Sequence, residues 1–376
     1  MSELASYSIQ AVFFALVAVV VVSRSKKTDL YQFALISIWL IGVIVIYARY
    51  KDDQVLFYSN DQLFHRDVIE YYLTVEGIQV REIISLRYLL TVPVYFISLL
   101  GFDAMLIIKF LQLSALLLIY RRSQLFMTTH MLTLRFWHLP FIAGSTLIFM
   151  SLLSLRDVLL AYFALLFVTS TDLRSKLVGL SAVLLLRPHL AVALGFGFLL
   201  SHFYSNLKFK YRNYGLAAFA LFSYVCGTIA YWIGSVIQKG TNFDTPRTVF
   251  SQFKFSQLAA NFFGLQFLGL NEPGGRIVAS STSDLLLSRL VIFETILIPI
   301  LFLVAVLRHP NFLSQPKVLT LQAFVFFYGV VSQTPFNSTR QNIPFMVCMG
   351  VLAVADIEHF RKIKAKVAPK LLMATR

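Results

Sequence analysis

Three arginines stand at the edges of long apolar runs, where a cation is hardest to accommodate. Arg187 closes the run Val183-Leu184-Leu185-Leu186 and is followed at once by Pro188 and His189. Arg156 and Asp157 lie between two apolar stretches in Ser154-Leu155-Arg156-Asp157, a turn too short for a solvated loop. Arg340, in Asn337-Ser338-Thr339-Arg340-Gln341-Asn342, opens a further apolar run. A guanidinium stays charged at any physiological pH, and its planar fork pairs bidentately with phosphate oxygens. A charge at apolar depth asks for an anion or a water-filled cavity. If the fold brings Arg156, Arg187 and Arg340 to one face, the chemistry they point to is binding of a phosphate or diphosphate. Plainer roles exist for each. Arg187 can snorkel beside a His189 that satisfies a carbonyl, and Arg156 can pair with its neighbour Asp157, which suits a helix N-terminus.

A second group sits in the first polar stretch, Phe57-Tyr58-Ser59-Asn60-Asp61-Gln62, His65-Arg66-Asp67 and Glu70-Tyr71-Tyr72. Carboxylates beside aromatic rings suit a sugar: rings stack on the apolar faces of pyranoses, and a carboxylate accepts a hydroxyl proton as general base. Asp61 is the better candidate base, with Asp67, Tyr71 and Tyr72 as substrate-binding residues; His189 and Asp157 are the other acid–base candidates. The same stretch also reads as an amphipathic helix from Asp61 to Tyr72 lying on a membrane, with tyrosines and His65 at the interface. Arg247 in Asp244-Thr245-Pro246-Arg247 and Arg276 in Pro273-Gly274-Gly275-Arg276 are further substrate-binding candidates, or solvated loop charges. No Walker-type loop, dinucleotide fingerprint, paired-cysteine site or His-Glu-x-x-His stretch occurs. No metal and no cofactor is expected.

The elements that must position these residues follow from composition. Of 376 residues, 58% are hydrophobic and 14% charged, with a mean hydropathy of +0.73. A soluble domain has roughly 25% charged residues. The chain therefore reads as one all-α, polytopic integral membrane domain over residues 1–376. The formal charge of +15 is explained by basic cytoplasmic loops and needs no nucleic-acid partner. Cys226 and Cys348 lie inside apolar runs and read as packing residues. The stretch Gln10 to Val22 lacks a basic leader and reads as a retained helix.

Apolar spans fall at residues 8–23, 31–48, 87–101, 103–120, 132–152, 157–171, 176–187, 189–204, 214–237, 288–307, 318–332 and 342–357, which makes about 10–12 transmembrane or re-entrant helices. Basic loops at Arg24 to Lys27, Arg121-Arg122, Arg174 to Lys176, Lys208 to Arg212, Arg308 to Lys317 and the tail 358–376 read as cytoplasmic. Reconciling them requires that 87–101 not cross, and that 176–204 enter and return, turning at Arg187-Pro188-His189. The outer face then receives loops 49–86 and 238–287, the Ser154–Asp157 turn, the Arg187–His189 tip and the approach to Arg340.

An early outer loop with Asp61, Tyr71 and Tyr72, a helix opened by Arg156-Asp157, a hairpin broken at Arg187-Pro188-His189, and Arg340-Gln341 before the last helix together resemble the Wzy-type (EpsG-like) repeat-unit polymerases of bacterial surface polysaccharides and O-antigens. The resemblance covers roughly residues 50 to 357 and lies in the pattern of these features. It implies a GT-C-like, O-antigen-polymerase-like bundle in the bacterial inner membrane. It also implies transfer of a growing glycan from an undecaprenyl-diphosphate carrier to another lipid-linked repeat on the outer face. The partners implied are the undecaprenyl-diphosphate-linked oligosaccharide, membrane lipids and a chain-length regulator. Ligases of the same architecture, a GT-C glycosyltransferase using a polyprenyl-phosphate sugar, and a non-enzymatic flippase of lipid-linked glycans are the alternatives.

Overall fold

The computed structural model describes residues 2–24, 30–50, 59–75, 90–142, 144–206, 297–298, 300–309, 312–321 and 339–374. In an apolar medium the backbone must satisfy its own polar groups, which favours helix. Every regular element among the described residues is helical.

Helix α1 (Glu3–Ser23) starts at Ser2, whose hydroxyl accepts from the Ala5 amide, and packs against α2 (Leu30–Tyr50). The rings of Tyr7 and Tyr47 stack with centroids 3.8 Å apart, so the start of α1 meets the end of α2 and the pair is antiparallel. Ala11, Ala15 and Ala18 face Leu35, Trp39 and Val43 within one core, while Phe13, Leu16, Val20, Ile41 and Val45 point outward. That outer face is apolar, as a lipid-facing surface must be. Helix α3 (Ser59–Thr74) lies inside the polar loop 49–86 and packs on α4 (Thr91–Ser98). Eight residues rise about 12 Å, too little to cross a hydrocarbon core of about 30 Å.

Two expectations are corrected here. The apolar span 103–120 is the first part of a longer helix, α5 (Ala104–Thr129), so Arg121 and Arg122 belong to a helix rather than a loop. Arg121-Arg122-Ser123-Gln124-Leu125 holds no glycine or proline, and Arg, Gln and Leu are good helix formers. Hydropathy ends where charge begins, but the helix does not. Conversely, 132–152 does not form one crossing helix. It divides into a 3-10 turn (Phe136–His138), α6 (Leu139–Ile142) and α7 (Ser145–Ser151). Pro140 brings no amide to a helical ladder, and Gly144 is the extended residue before α7.

Helix α8 (Asp157–Thr169) is central, packing on α5, on α9 (Leu173–Leu186) and on α11 (Thr339–Ala374). Asp172 caps α9 by accepting from the Ser175 amide at 2.8 Å, and Gly179 lets α9 lie directly on the α8 backbone. The break before α10 (Pro188–Ser205) comes where the sequence places it. Arg187 is extended (φ −158°, ψ 89°) and Pro188 opens the next helix, since the residue before a proline is pushed out of the helical region. Helices α9 and α10 pack against each other as a hairpin. Helix α11 continues through the stretch expected as a tail from 358. Its middle is tied down by buried carboxylates: Asp356 meets His309 at 3.1 Å and Gln315 at 3.0 Å, and Glu358 meets His138 at 3.4 Å.

Among the described residues, four helices are long and apolar enough to cross a membrane: α1, α2, α5 and residues 343–363 of α11. The expected spans 288–307 and 318–332 are described in part, helical over 300–308 and 316–321. The span 214–237, the loop 238–287 and Cys226 lie outside the described residues. Cys348 is buried and free.

Candidate functional site

The Ser154–Asp157 turn is clamped from neighbouring helices. The Gln62 Oε1 atom on α3 accepts from the Ser154 amide at 2.9 Å, and the Ser154 hydroxyl donates to the Met105 carbonyl on α5 at 3.1 Å. The Trp39 indole of α2 donates to the Ser151 carbonyl at 3.2 Å. The first amides of any helix lack intrahelical partners. Here the Gln112 Oε1 atom accepts from Val158 at 3.0 Å and Leu159 at 3.3 Å. The N-terminus of α8 is thus occupied by a protein acceptor and closed by α5.

Asp157, the first residue of α8, sits where the helix dipole favours negative charge. Its partner is Arg187: the Arg187 Nη2 atom lies 3.6 Å from Asp157 Oδ1, with side-chain exposures of 5% and 1%. Sequence offers adjacent Arg156 as a plain partner for Asp157; the structure adds Arg187, from the break between two other helices. Arg187 reaches across because the extended backbone before Pro188 frees it from both helices. Its Nη1 atom is buried and has no hydrogen-bond partner among the described residues. Arg156 is half-buried at the mouth of the turn.

The other expected site residues divide. Asp61 occupies the first turn of α3 beside Gln62, which places its backbone next to the clamped turn; His189 is the second residue of α10, and Arg340 lies in the first turn of α11. Their side chains lie outside the described part of the structure, as do Arg247 and Arg276 entirely. Asp67 points outward and pairs with Arg66 at 3.2 Å. Tyr71 is exposed, but Tyr72 is buried against Tyr95 with ring centroids 5.8 Å apart. Residues 61–72 do form the expected amphipathic helix. Its inward face of Gln62, His65, Ile69 and Tyr72 is covered by protein, however, so neither His65 nor Tyr72 is interfacial.

Three participants went unnoticed in the sequence. Gln62, Gln112 and Lys109 are each completely buried. Met105, Lys109 and Gln112 follow i, i+4, i+7 spacing and so share the face of α5 that meets the turn. The Lys109 ammonium donates to the Tyr7 hydroxyl at 3.4 Å, beneath the Tyr7–Tyr47 stack. A lysine inside an apolar span is the signal that marks it.

The site is therefore a buried polar knot of Gln62, Lys109, Gln112, Asp157 and Arg187 inside an apolar bundle, with Arg156 at its edge. An anion that reaches it competes with Asp157 for Arg187, and a bound anion would release the carboxylate. Comparisons with protein-family models, curated proteins and solved structures find no match for this chain.

Proposed function

We propose that the chain is a polytopic protein of the bacterial inner membrane that polymerises undecaprenyl-diphosphate-linked oligosaccharide repeats on the outer face. The observation that carries this reading is Arg187, a buried guanidinium at a helix break, paired with Asp157, the residue that follows Arg156 in the chain. The diphosphate of the donor takes over Arg187 from Asp157, and Arg156 and Arg340 add charge, supplying the preorganised electrostatic stabilisation on which such transfers depend. The acceptor sugar hydroxyl attacks the anomeric carbon; the new C–O bond forms as the bond from that carbon to the diphosphate oxygen breaks. The electron pair leaves with the diphosphate. Asp61, His189 or the released Asp157 takes the hydroxyl proton.

The closed Arg187–Asp157 pair also suits a second reading, a flippase in which a translocating lipid diphosphate exchanges with Asp157. Purified protein in nanodiscs, supplied with lipid-linked repeats, separates the two. A ladder of products with two or more repeats supports polymerisation. A product-free reaction in which the protein moves the lipid between leaflets of a vesicle overturns it.

A further inference from the structure

The opposite end of the α2–α5–α8 group, away from the Asp157 turn, holds a cavity of about 760 Å³. Its polar lining includes Gln32 of α2, Arg121 and Arg122 of α5, and Tyr162 of α8; Leu118, Leu125 and Leu166 form an apolar wall. Gln32 is 4% exposed, and its buried Oε1 atom has no hydrogen-bond partner among the described residues. A buried amide oxygen without a donor costs free energy unless something else supplies one. Arg122 is fixed in place: its Nε donates to Thr169 Oγ1 and its Nη2 to Ser170 Oγ, both at 2.8 Å. Arg121 is exposed and has no ion-pair partner among the described residues. Arg122, Lys176 and Lys317 stand near enough that the Lys317 ammonium is pushed below its usual range, chiefly by burial and then by the other two charges. Asp172 is the acidic group facing Arg122, and it is engaged as the cap of α9.

A fixed arginine, a free arginine and an orphaned acceptor over an apolar wall have the chemistry of a phospholipid headgroup. The phosphate takes the guanidinium groups, a headgroup hydroxyl donates to Gln32, and an acyl chain follows Leu118 and Leu125 along the exposed side of α5. We propose that this cavity binds the phosphate headgroup of an anionic glycerophospholipid from the leaflet at that end of the bundle. Basic pockets between helices on the cytoplasmic side recognise such headgroups, and Arg121-Arg122 is one of the basic clusters that orient this end inward.

The test is native mass spectrometry of the full chain in detergent, with phosphatidylglycerol or phosphatidylcholine added, on the wild type, Arg121→Gln, Gln32→Leu and an Arg135→Gln control. Arg121 is exposed and has no ion-pair partner among the described residues, so its substitution is expected to leave the fold intact. Phosphatidylglycerol is expected to be retained over phosphatidylcholine, and Arg121→Gln to lower that preference about fivefold, as removal of one basic contact implies. Gln32→Leu weakens retention as well, and Arg135→Gln does not. Equal retention of the two lipids by the wild type, or an unchanged preference in Arg121→Gln, overturns the proposal. Displacement of the lipid by excess inorganic phosphate also overturns it, because the site would then take free phosphate.

Discussion

Arg187 and Asp157, thirty positions apart in the chain, meet inside the bundle with Nη2 and Oδ1 3.6 Å apart and almost no exposure to solvent. Removing one partner leaves a buried charge uncompensated, which typically costs about 3–5 kcal/mol, whereas replacing both by apolar groups is far milder. Asp157→Asn and Arg187→Gln are each expected to lower the thermal midpoint of the detergent-solubilised protein sharply. The Asp157→Leu/Arg187→Met double variant is expected to recover most of the loss. A double variant that is as unstable as the sum of the singles would show that the two side chains are not coupled.

Gln112 satisfies two amides at the start of α8 that have no other acceptor in the helix. Gln112→Leu leaves the buried Val158 amide and the part-buried Leu159 amide without this acceptor, at a cost of about 1–3 kcal/mol for a buried group. The prediction is faster hydrogen exchange confined to Val158 and Leu159, with the amides of α1 unaffected.

Glycines at two helix crossings should behave differently on substitution by alanine. At Gly179 an added Cβ meets backbone, the Phe163 carbonyl at 2.8 Å and the Phe167 nitrogen at 3.0 Å, and neither can move without shifting α8. At Gly42 the same atom meets only the tips of the Leu152 side chain. Gly179→Ala is expected to destabilise by about 1–3 kcal/mol, as overpacking does, and Gly42→Ala by much less, read as the difference in thermal midpoint. Equal effects would contradict the crossing geometry of α8 and α9.

The Asp172 carboxyl is held below the ordinary aspartate range, first by its hydrogen bonds with Ser175 and lastly by Arg122. A carboxylate whose folded value is depressed contributes stability above its unfolded value and loses it as pH falls through the folded one. Protection of the Ser175 amide is therefore expected to decline on acidification below the usual carboxylate range. In Asp172→Ala that protection should be low at every pH. A pH-independent Ser175 amide in the wild type would contradict the cap.

The parts of this fold that sequence conveyed are those set by local chemistry. Pro188 forces the break at Arg187, and the polar and apolar spacing from Asp61 to Tyr72 specifies a helix. The Arg187 partner was not legible locally: adjacency offers Asp157 only Arg156, whereas the extended backbone at Arg187 delivers a guanidinium from another helix pair. Averaged hydropathy hid Lys109 among its apolar neighbours and ended α5 too early at Arg121. It also joined 132–152 into one span despite Pro140 and Gly144, which carry the breaking signal in their backbones rather than in their polarity. Gln62 and Gln112 were silent because a glutamine announces no charge, and its role as a cap depends on which helix it faces.

The central claim is that Arg187 serves a lipid-linked diphosphate and that Asp157 keeps it in reserve. The most direct measurement is polysaccharide chain length in cells whose only copy of the protein is the wild type, Arg187→Lys or Arg187→Ala, with each variant confirmed to be inserted at wild-type level. Lysine keeps the charge but loses the fork. Long chains are expected in the wild type, shortened chains with Arg187→Lys and single repeats with Arg187→Ala. Full-length polysaccharide in cells carrying inserted Arg187→Ala would contradict it.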